Sequence, residues 1–386
     1  MRLVIAPDSF KDCLSASAVC DAVAQGARRA DPEIEIFAIP MADGGQGTLD
    51  SVLRATGGRR QSVEVVGPLG EPVVAALGFL DDGQTAIFEM ASASGLELVP
   101  VDKRDACTST TFGSGQLLVA ALDAGARRVL VGIGGSATND GGAGLAEALG
   151  YRLLDRQGKP IPRGGGGLDR LERIDAAGRH PRIGQVAVEV ACDVTNPLTG
   201  PTGASAVYGP QKGASPEQVE RLDRNLAHLA AVVRRDLGLD VEHMPGAGAA
   251  GGLGAGLVAF AGARLARGVE LVLDAVRFRE RVQGADLCIT GEGALDAQTA
   301  YGKTAYGVAR ACREAGVPCV ALVGAVRGDL TVLFNAGLTA AFSATPRPAS
   351  LAEALADAEG NIAHAAEQIV RLFLAAAGSH PDGGNS

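Results

Sequence analysis

Hydrophobic and polar positions at the amino terminus follow the rhythm of an α/β protein. An apolar run over 3–6 predicts a buried strand, and the pattern over 16–30 predicts an amphipathic helix that Ser15 can cap. A second strand is predicted over 34–39. Because strand–helix–strand units build parallel sheets, this segment predicts the start of one.

The middle of the chain has a different pattern. Apolar segments over 62–66, 73–80 and 85–89 are separated by Gly- and Pro-containing turns, which predicts antiparallel strands. Helices and strands then alternate as far as 190, with a long Gly-, Pro- and Arg-rich loop or irregular excursion over 155–185. This part of the chain therefore predicts a mixed sheet.

A long helix and a second strand–helix rhythm close the chain. Ser215-Pro-Glu-Gln218 has the form of a capping box with Pro at the first helical position. Strands over 286–290, 317–323 and 340–343 then alternate with helices, the last of which is predicted over 351–376.

The simplest topology places both chain ends in one doubly wound parallel sheet. This domain comprises 1–60 and 285–376, and 61–284 is inserted as a second α/β domain with a mixed sheet, before a polar tail over 377–386. Three sequential domains are the alternative, but about 60 amino-terminal residues make a poor domain alone.

Composition and charge exclude several classes of function. The net charge is −9, aromatic residues make up 4% and Trp is absent, which argues against a nucleic-acid partner. The seven cysteines are scattered without a CxxC pair, which suits a reducing compartment. The apolar run at 3–6 is too short for a secretory signal, and the run at 252–263 is too short to span a bilayer. We therefore expect a cytoplasmic protein without a membrane partner.

The 54 glycines cluster with Asp, Ser, Thr and Asn in five polar loops, most of which follow predicted strands. In open α/β sheets ligands bind at the carboxyl ends of strands. The loops cover 7–11, 43–48, 132–142, 192–198 with 209–213, and 290–298 with 302–304.

These loops offer carboxylates, cations and exposed backbone amides. Asp8, Asp193 and Glu292 follow strands, where a carboxylate can act as a base or a metal ligand. The glycines of 43–48 and of 132–142 expose amides that can cradle phosphate. Plain structural interpretations stay open for each: a tight turn at 43–48, a helix cap at Asp140 and a surface charge at Lys212.

Two nucleotide-binding patterns are incomplete. Gly302-Lys-Thr304 resembles the end of a P-loop, but Ala297 stands where that motif needs Gly. The segment 132–137 matches the loose dinucleotide fingerprint, although Asn139-Asp-Gly-Gly142 interrupts the helix that should follow. An NAD(P)-dependent oxidoreductase that uses Gly132–Ala137 therefore remains the alternative function.

Several long motifs occur in one order along nearly the whole chain. They are PDSFK at 7–11, ADGGQGT at 42–48, GGSATNDGGAG at 134–144, CDVTNPLTGPTGAS at 192–205, YGPQKGA at 208–214, GAAGGLGAG at 248–256 and TGEGALDAQT at 290–299. In these motifs the chain resembles the type I glycerate kinase family, which phosphorylates D-glycerate with ATP. The family usually has Glu where Gln46 stands, and Pro is common where Ala305 stands.

The resemblance implies a flavodoxin-like domain formed by both chain ends and an inserted domain similar in fold to restriction endonucleases. It implies that substrates meet in a cleft between the domains, and that ATP with Mg²⁺ converts D-glycerate to 2-phosphoglycerate, with 3-phosphoglycerate as the other possible product. The sequence leaves open whether the protein is a monomer or a homodimer.

The family motifs contain the candidate site residues, and phosphoryl transfer suggests their roles. The catalytic candidates are Asp8, Lys11 and Asp193. The substrate-binding candidates are Ser9, Asp43, Gly44, Gly45, Asn196, Glu292 and Asp296. The candidates for the ATP phosphates are Gly134, Gly135, Ser136, Thr138, Asn139 and Lys212. We expect Mg²⁺ near Asp43 or Asp193, and we expect Asp8 or Asp193 to accept the hydroxyl proton.

Overall fold

A computed structural model describes residues 1–295 and 303–378, and its secondary structure confirms the predicted α/β class. The strands are β1 (Arg2–Pro7), β2 (Glu35–Ala38), β3 (Arg59–Val66), β4 (Pro72–Phe79), β5 (Thr85–Glu89), β6 (Arg128–Gly132), β7 (Arg152–Leu154), β8 (Arg173–Asp175), β9 (Ala187–Ala191), β10 (Arg264–Ala266), β11 (Leu287–Gly291), β12 (Ala294–Leu295), β13 (Cys319–Val323), β14 (Ala325–Val326) and β15 (Leu338–Ser343).

The α-helices lie between and after these strands. They are α1 (Ala16–Ala30), α2 (Thr48–Thr56), α3 (Ala91–Ser94), α4 (Phe112–Asp123), α5 (Ala143–Ala148), α6 (Ala204–Tyr208), α7 (Pro216–Leu237), α8 (Ala249–Ala261), α9 (Gly268–Ala275), α10 (Phe278–Arg281), α11 (Thr304–Glu314), α12 (Thr331–Ala336), α13 (Leu351–Ala356) and α14 (Ala358–Gly378). Short 3₁₀ helices cover Leu96–Leu98, Val101–Lys103, Gly165–Arg170 and Pro210–Lys212. Within the described ranges, none of the helices is both long and apolar enough to cross a membrane.

The chain divides into two compact units. Unit 1 comprises Met1–Asp43, Asp50–Thr56 and Val272–Ser386, and unit 2 comprises Gly44–Leu49 and Gly57–Leu271. The sequence predicts that the inserted domain ends at 284, whereas unit 2 ends at Leu271. The segment 272–284 belongs to unit 1, where α10 packs against α11.

Unit 1 is built around a parallel sheet of five strands in the order β15-β13-β11-β1-β2. Numbered along the chain and read from the β2 edge, this is the 2-1-3-4-5 order of flavodoxin-like sheets. Both faces are covered by apolar packing, so β11 and β13 are buried at every residue. The strand order reverses between β1 and β11, where Pro7 pairs with Gly291. Residues that follow these two strands therefore lie at the position where such sheets bind ligands.

Helix α1 of unit 1 begins and ends as its sequence predicts. The Ser15 hydroxyl caps it by accepting a hydrogen bond from Ala18 N at 3.2 Å. The helix packs against α14 at Gly26, where a Cβ would lie 2.0 Å from Ala363 O. The prediction of a single helix over 351–376 is wrong, because the chain leaves helical geometry at Asp357 and forms α13 and α14.

Unit 2 contains a six-stranded sheet in the order β10-β9-β6-β5-β4-β3. The antiparallel pairing predicted for β3, β4 and β5 is confirmed, and the remaining pairs are parallel. Helix α7 begins with the predicted capping box at Ser215. The segment predicted as a loop over 155–185 includes β8, which pairs with β7, and the 3₁₀ helix Gly165–Arg170.

The parallel strands of unit 2 end in register at Glu89, Gly132 and Ala191. The segment 44–49 lies on this edge, because Leu49 N donates to Glu89 Oε1 at 2.9 Å and a Cβ on Gly44 would lie 2.4 Å from Ala191 Cβ. The carboxyl edge of the mixed sheet thus carries one of the predicted glycine loops.

Candidate functional site

Asp8 is the first residue after β1 in unit 1, and its side chain is held in place from two sides. Its carboxylate accepts hydrogen bonds from Ser9 N at 2.6 Å and from Thr304 Oγ1 at 2.5 Å. Its own backbone N–H donates to Gly291 O at 2.8 Å. Thr304 is fully buried and is the first residue of α11, so two distant parts of the chain fix the position of this carboxyl group.

The environment of Asp8 moves its pKa toward neutrality. Burial raises the pKa of Asp8 from 3.8 to about 6, and the negative charge of Asp43 adds to the rise. The hydrogen bonds from Thr304 and Ser9 favour the charged form and so oppose this rise in the pKa. A carboxylate with a pKa near 6 can accept a proton at neutral pH, which suits a general base.

Glu292 occupies the equivalent position after β11. It is 8% exposed, and Lys303 Nζ lies 3.8 Å from its Oε2. Lys11 is exposed, and its backbone lies near Gly293, where a Cβ would be 3.6 Å from Lys11 N. The structure thus brings the predicted loops after β1 and β11 together at one end of the sheet. Asp296 lies outside the described residues.

In unit 2 the loop after β6 is held by backbone hydrogen bonds on both sides. Leu96 N donates to Gly135 O at 2.8 Å, and Ala137 N donates to Ser94 O at 2.9 Å. A Cβ on Gly134 would lie 3.7 Å from Gly45 Cα. The two predicted glycine loops, 43–48 and 132–142, therefore meet at the carboxyl edge of this sheet.

Lys212 lies buried beside the loop and is not a surface charge. It is 1% exposed, and its ammonium donates to Ser136 Oγ at 2.7 Å and to Thr138 O at 2.6 Å. Burial lowers the pKa of Lys212 from 10.5 to about 7, and the Asp140 carboxylate opposes the fall. A buried cation in contact with a glycine loop gives this loop an affinity for anions.

Asp140 has a structural role at the start of α5. Its carboxylate accepts from Gly142 N at 3.1 Å and Gly144 N at 3.2 Å, at the start of α5, and from Thr111 N at 2.8 Å. Burial raises the pKa of Asp140, while these hydrogen bonds oppose the rise. Asp140 therefore binds backbone amides at the start of α5, although the N-cap residue is Gly142, and Thr111 is a partner that sequence reasoning missed.

Two buried polar atoms of the same loop have no hydrogen-bond partner in the described part of the chain. They are Thr138 Oγ1 and Asn139 Oδ1, whereas Asn139 Nδ2 donates to Ser205 Oγ at 2.9 Å. The loop is pressed against Gly251, whose φ is +70° and where a Cβ would lie 1.9 Å from Thr138 O. Unsatisfied buried polar groups are rare, and here they fit a polar ligand or water at the loop.

Asp193 and Asn196 follow β9 and contribute to local structure. Asp193 is exposed, and its Oδ1 accepts from Gly268 N at 3.0 Å, at the first residue of α9. Asn196 donates to Thr202 O at 2.7 Å and accepts from Tyr208 Oη at 2.9 Å. Asn196 therefore shapes its loop through both atoms of its amide.

Oxygen ligands suitable for Mg²⁺ are available at Asp43 and Asp193. The described residues contain one compact group of three metal-ligating side chains, the buried Cys288, Cys312 and Cys319, whose sulfurs lie within 4.8 Å of one another. Thiols are poor ligands for Mg²⁺. This group lies near the amino ends of β11 and β13, away from Asp8 and Glu292, and packs as small core residues.

Known proteins resemble the chain over almost its whole length. It is 51% identical to a glycerate kinase of Halalkalibacterium halodurans over 367 residues, which cover 95% of this chain and 97% of the relative. It is 47% identical to the glycerate 2-kinase of Escherichia coli strain K12 over 369 residues, which cover 96% and 97% of the two chains.

A crystal structure assigned to glycerate kinase 2 of Salmonella typhimurium LT2 has the same fold. The TM-score is 0.90 at 47% sequence identity, with 98% of this chain and 99% of that chain covered. A family model described as the glycerate kinase family matches residues 3–374. The chain belongs to the glycerate kinase family.

Proposed function

We propose that this kinase transfers the γ-phosphoryl group of ATP to the 2-hydroxyl of D-glycerate and releases 2-phosphoglycerate and ADP. Family membership supports the kinase class, and the name of the Escherichia coli relative supports the 2-position. The observation that carries the proposal is the glycine loop after β6 with the buried Lys212 ammonium against it. Such a loop suits the phosphates of a nucleotide.

In this proposal the ATP phosphates bind the loop through Gly134, Gly135, Ser136, Thr138 and Asn139. Glycines permit close approach of a ligand to the backbone, and Gly135 has a φ of +73°. The buried Lys212 charge offsets phosphate charge, and attraction between charges is stronger where burial lowers the effective dielectric constant. The orphaned Thr138 Oγ1 and Asn139 Oδ1 supply further polar atoms for the ligand or its water.

Asp8 is the proposed base for the glycerate hydroxyl. Above pH 6 Asp8 is ionised, and the hydroxyl of Thr304 orients its carboxylate through a short hydrogen bond. Lys11 is the proposed cation for the glycerate carboxylate or a phosphate. Ser9, Asp43, Gly44, Gly45, Asn196, Glu292 and Asp296 remain the proposed substrate-binding residues.

Asp43 or Asp193 is the proposed magnesium ligand, since each offers carboxylate oxygens. Mg²⁺ bound with ATP would neutralise charge on the phosphates. Asp193 is the simpler residue to test, because Asp193→Asn keeps an oxygen for the Gly268 N–H and removes only the charge. A fall in kcat of at least about 10² assigns Asp193 to the chemistry. A normal kcat would exclude Asp193 from the chemistry.

The proposed function is tested by incubating the protein with Mg-ATP and D-glycerate, following ADP and reading the product by phosphorus NMR. ADP formation that depends on D-glycerate is the expected result. A phosphorus signal split by one proton identifies the 2-position, and a signal split by two protons identifies the 3-position. Binding of Mg-ATP without turnover of D-glycerate would reject this substrate.

The oxidoreductase alternative gains no support. The fingerprint at Gly132–Ala137 requires a helix that begins at once, whereas α5 begins at Ala143. The relatives reported above are named as kinases.

A further inference from the structure

The hydrogen bond between Lys212 and Ser136 determines what the Ser136 hydroxyl can do. In its protonated form Lys212 has only donors, so at the 2.7 Å contact Ser136 Oγ is then the acceptor. The hydroxyl hydrogen of Ser136 must then point toward another acceptor. Within the described part of the chain, the Ser136 hydroxyl makes this hydrogen bond to Lys212 and no second one. Ser136 therefore has a donor to offer to a ligand.

We propose that the Ser136 hydroxyl donates directly to an oxyanion of the bound substrate, and that Lys212 is the positioning residue that turns this donor toward the ligand. The inference rests on the proposed function, in which this loop binds the ATP phosphates. The shared chemistry is an anionic oxygen, which the nucleotide phosphates and the glycerate carboxylate can both supply. The nucleotide is the favoured source, because the donor stands among the glycines of the phosphate loop.

Burial makes Lys212 better suited to positioning than to direct contact. The residue is 1% exposed, and two of its three N–H donors are used by Ser136 Oγ and Thr138 O. Ser136 is 7% exposed and belongs to the loop itself. The cation polarises the hydroxyl, and a charge-assisted donor binds an oxyanion more strongly than a neutral one. The charge of Lys212 thus reaches the ligand through Ser136.

The backbone around both residues is held independently of this contact. Ser136 forms a bridge with Gly95, and Ala137 N donates to Ser94 O. Gly213, next to Lys212, packs on Arg104, where a Cβ would lie 2.2 Å from Arg104 O. Removing the Ser136 hydroxyl should therefore leave the loop in place, so that a kinetic effect reports on the lost donor.

The test compares Ser136→Ala, Lys212→Met and the double variant by initial rates at varied ATP and varied D-glycerate. We expect Ser136→Ala to raise the KM for ATP by about 10- to 100-fold, the value of one hydrogen bond to a charged group. We expect the KM for D-glycerate to stay within about 3-fold. Because Lys212 acts through Ser136, the double variant should be no worse than Lys212→Met alone.

Matched controls separate the inference from general damage. Ser114→Ala removes another buried hydroxyl, which donates to Ser94 Oγ at 2.9 Å, and Lys159→Met removes an exposed lysine charge. Both variants should keep the KM for ATP. Thermal unfolding of every variant reports on folding independently of the KM.

The outcomes distinguish this inference from the proposed function. Turnover by the unmodified protein tests the proposed function, and the rise in Tm caused by Mg-ATP tests the Ser136 donor without turnover. A rise in the KM for D-glycerate in place of that for ATP supports the donor and identifies the carboxylate as its anion. The inference would be overturned if Ser136→Ala left the KM for both substrates and the rise in Tm caused by Mg-ATP unchanged. It would also be overturned if the increase in the KM for ATP in the double variant equalled the product of the increases in the two single variants.

Discussion

Asp8 and Lys212 have pKa values displaced toward neutrality in opposite directions. Between pH 3.8 and about 6 the folded state binds more protons at Asp8 than the unfolded state, so the contribution of Asp8 to stability falls as the pH rises through this window. Between about 7 and 10.5 the unfolded state binds more protons at Lys212, so its contribution to stability rises with pH. Burying these two groups lowers stability at neutral pH, as is common at functional sites.

Replacing Asp8 should separate activity from stability. Asp8→Asn removes the proposed base and should lower kcat by at least about 10². At pH 7.5 its Tm should match or exceed that of the unmodified protein, because a buried charge is removed. Asp12→Asn is the control, since Asp12 is exposed and its φ of +58° suits Asn. A normal kcat in folded Asp8→Asn would exclude Asp8 as the base.

The pH dependence of kcat/KM should have an acidic limb near pH 6. The base must be unprotonated to accept the hydroxyl proton, so kcat/KM should rise with pH through the pKa of Asp8 and level off above it. Below pH 5 the decrease should approach about tenfold per pH unit. The profile is measured with saturating Mg-ATP and limiting D-glycerate, and a flat profile from pH 5 to 7 would contradict the assignment.

The sequence identifies individual functional residues more readily than it identifies their partners. Asp8 and Glu292 are predictable because each directly follows a strand, and ligands bind at such positions. The segment 302–304 resembles the end of an incomplete P-loop, and nothing in it reveals that Thr304 donates to Asp8, 296 positions away. The burial of Lys212 depends on which loop covers it, and local sequence does not encode that.

Element boundaries are predictable where their chemistry is local. The side chains beside each helix start predict the caps at Ser15 and Ser215, and both form. Ser350 carries the same signal, since it forms a capping box with Glu353 and caps the start of α13. No proline marks the break at Asp357, so the apolar pattern alone predicted one continuous helix.

Gly251 of helix α8 and Gly262, the C-cap of this helix, form a matched pair that tests the loop that α8 supports. Gly251→Ala would place a Cβ 1.9 Å from Thr138 O at a φ of +70°, whereas Gly262→Ala at +64° has open space. Both variants bear left-handed backbone strain of about 1–2 kcal/mol, but only Gly251→Ala should also displace the phosphate loop. We expect a raised KM for ATP in Gly251→Ala alone, and equal kinetics in the two variants would show that this contact does not position the loop.

The contact between α1 and α14 provides a second matched pair. Gly26→Ala would place a Cβ 2.0 Å from Ala363 O, so the helices must separate and the free energy of unfolding should fall by about 1–3 kcal/mol. Gly360→Ala in α14 meets no atom within 4 Å and should gain about 0.5–1 kcal/mol from helix propensity. Denaturant unfolding measures both variants, and similar stabilities would mean that the helices adjust without cost.

At the scale of the molecule, the alternation of strands and helices predicted the fold class, whereas the pairing of the strands required the structure. Strand β1 pairs with β11, so Leu3 lies opposite Leu287. Spacing along the chain cannot specify such a distant register. The strand–helix pattern and the family resemblance both place the two chain ends in one sheet, but neither specifies this register.

Each of the two compact units has its own apolar core, which predicts separate local stabilities. The core of unit 1 includes Leu3, Val23 and Ile289, and that of unit 2 includes Phe88 and Leu226. Cooperative units that are stabilised separately can open separately. A substitution that weakens one core should therefore speed amide exchange mainly in its own unit.

Hydrogen exchange in the two glycine variants, followed by mass spectrometry, tests this prediction. Gly26→Ala should accelerate exchange in β1, β2, β11, β13 and β15, and Gly251→Ala should accelerate it in β5, β6 and β9. Gly360→Ala and Gly262→Ala serve as the corresponding controls. Uniform acceleration across both sheets in either variant would show that the chain opens as one cooperative unit, and stability measured at any one site would then report on the whole enzyme.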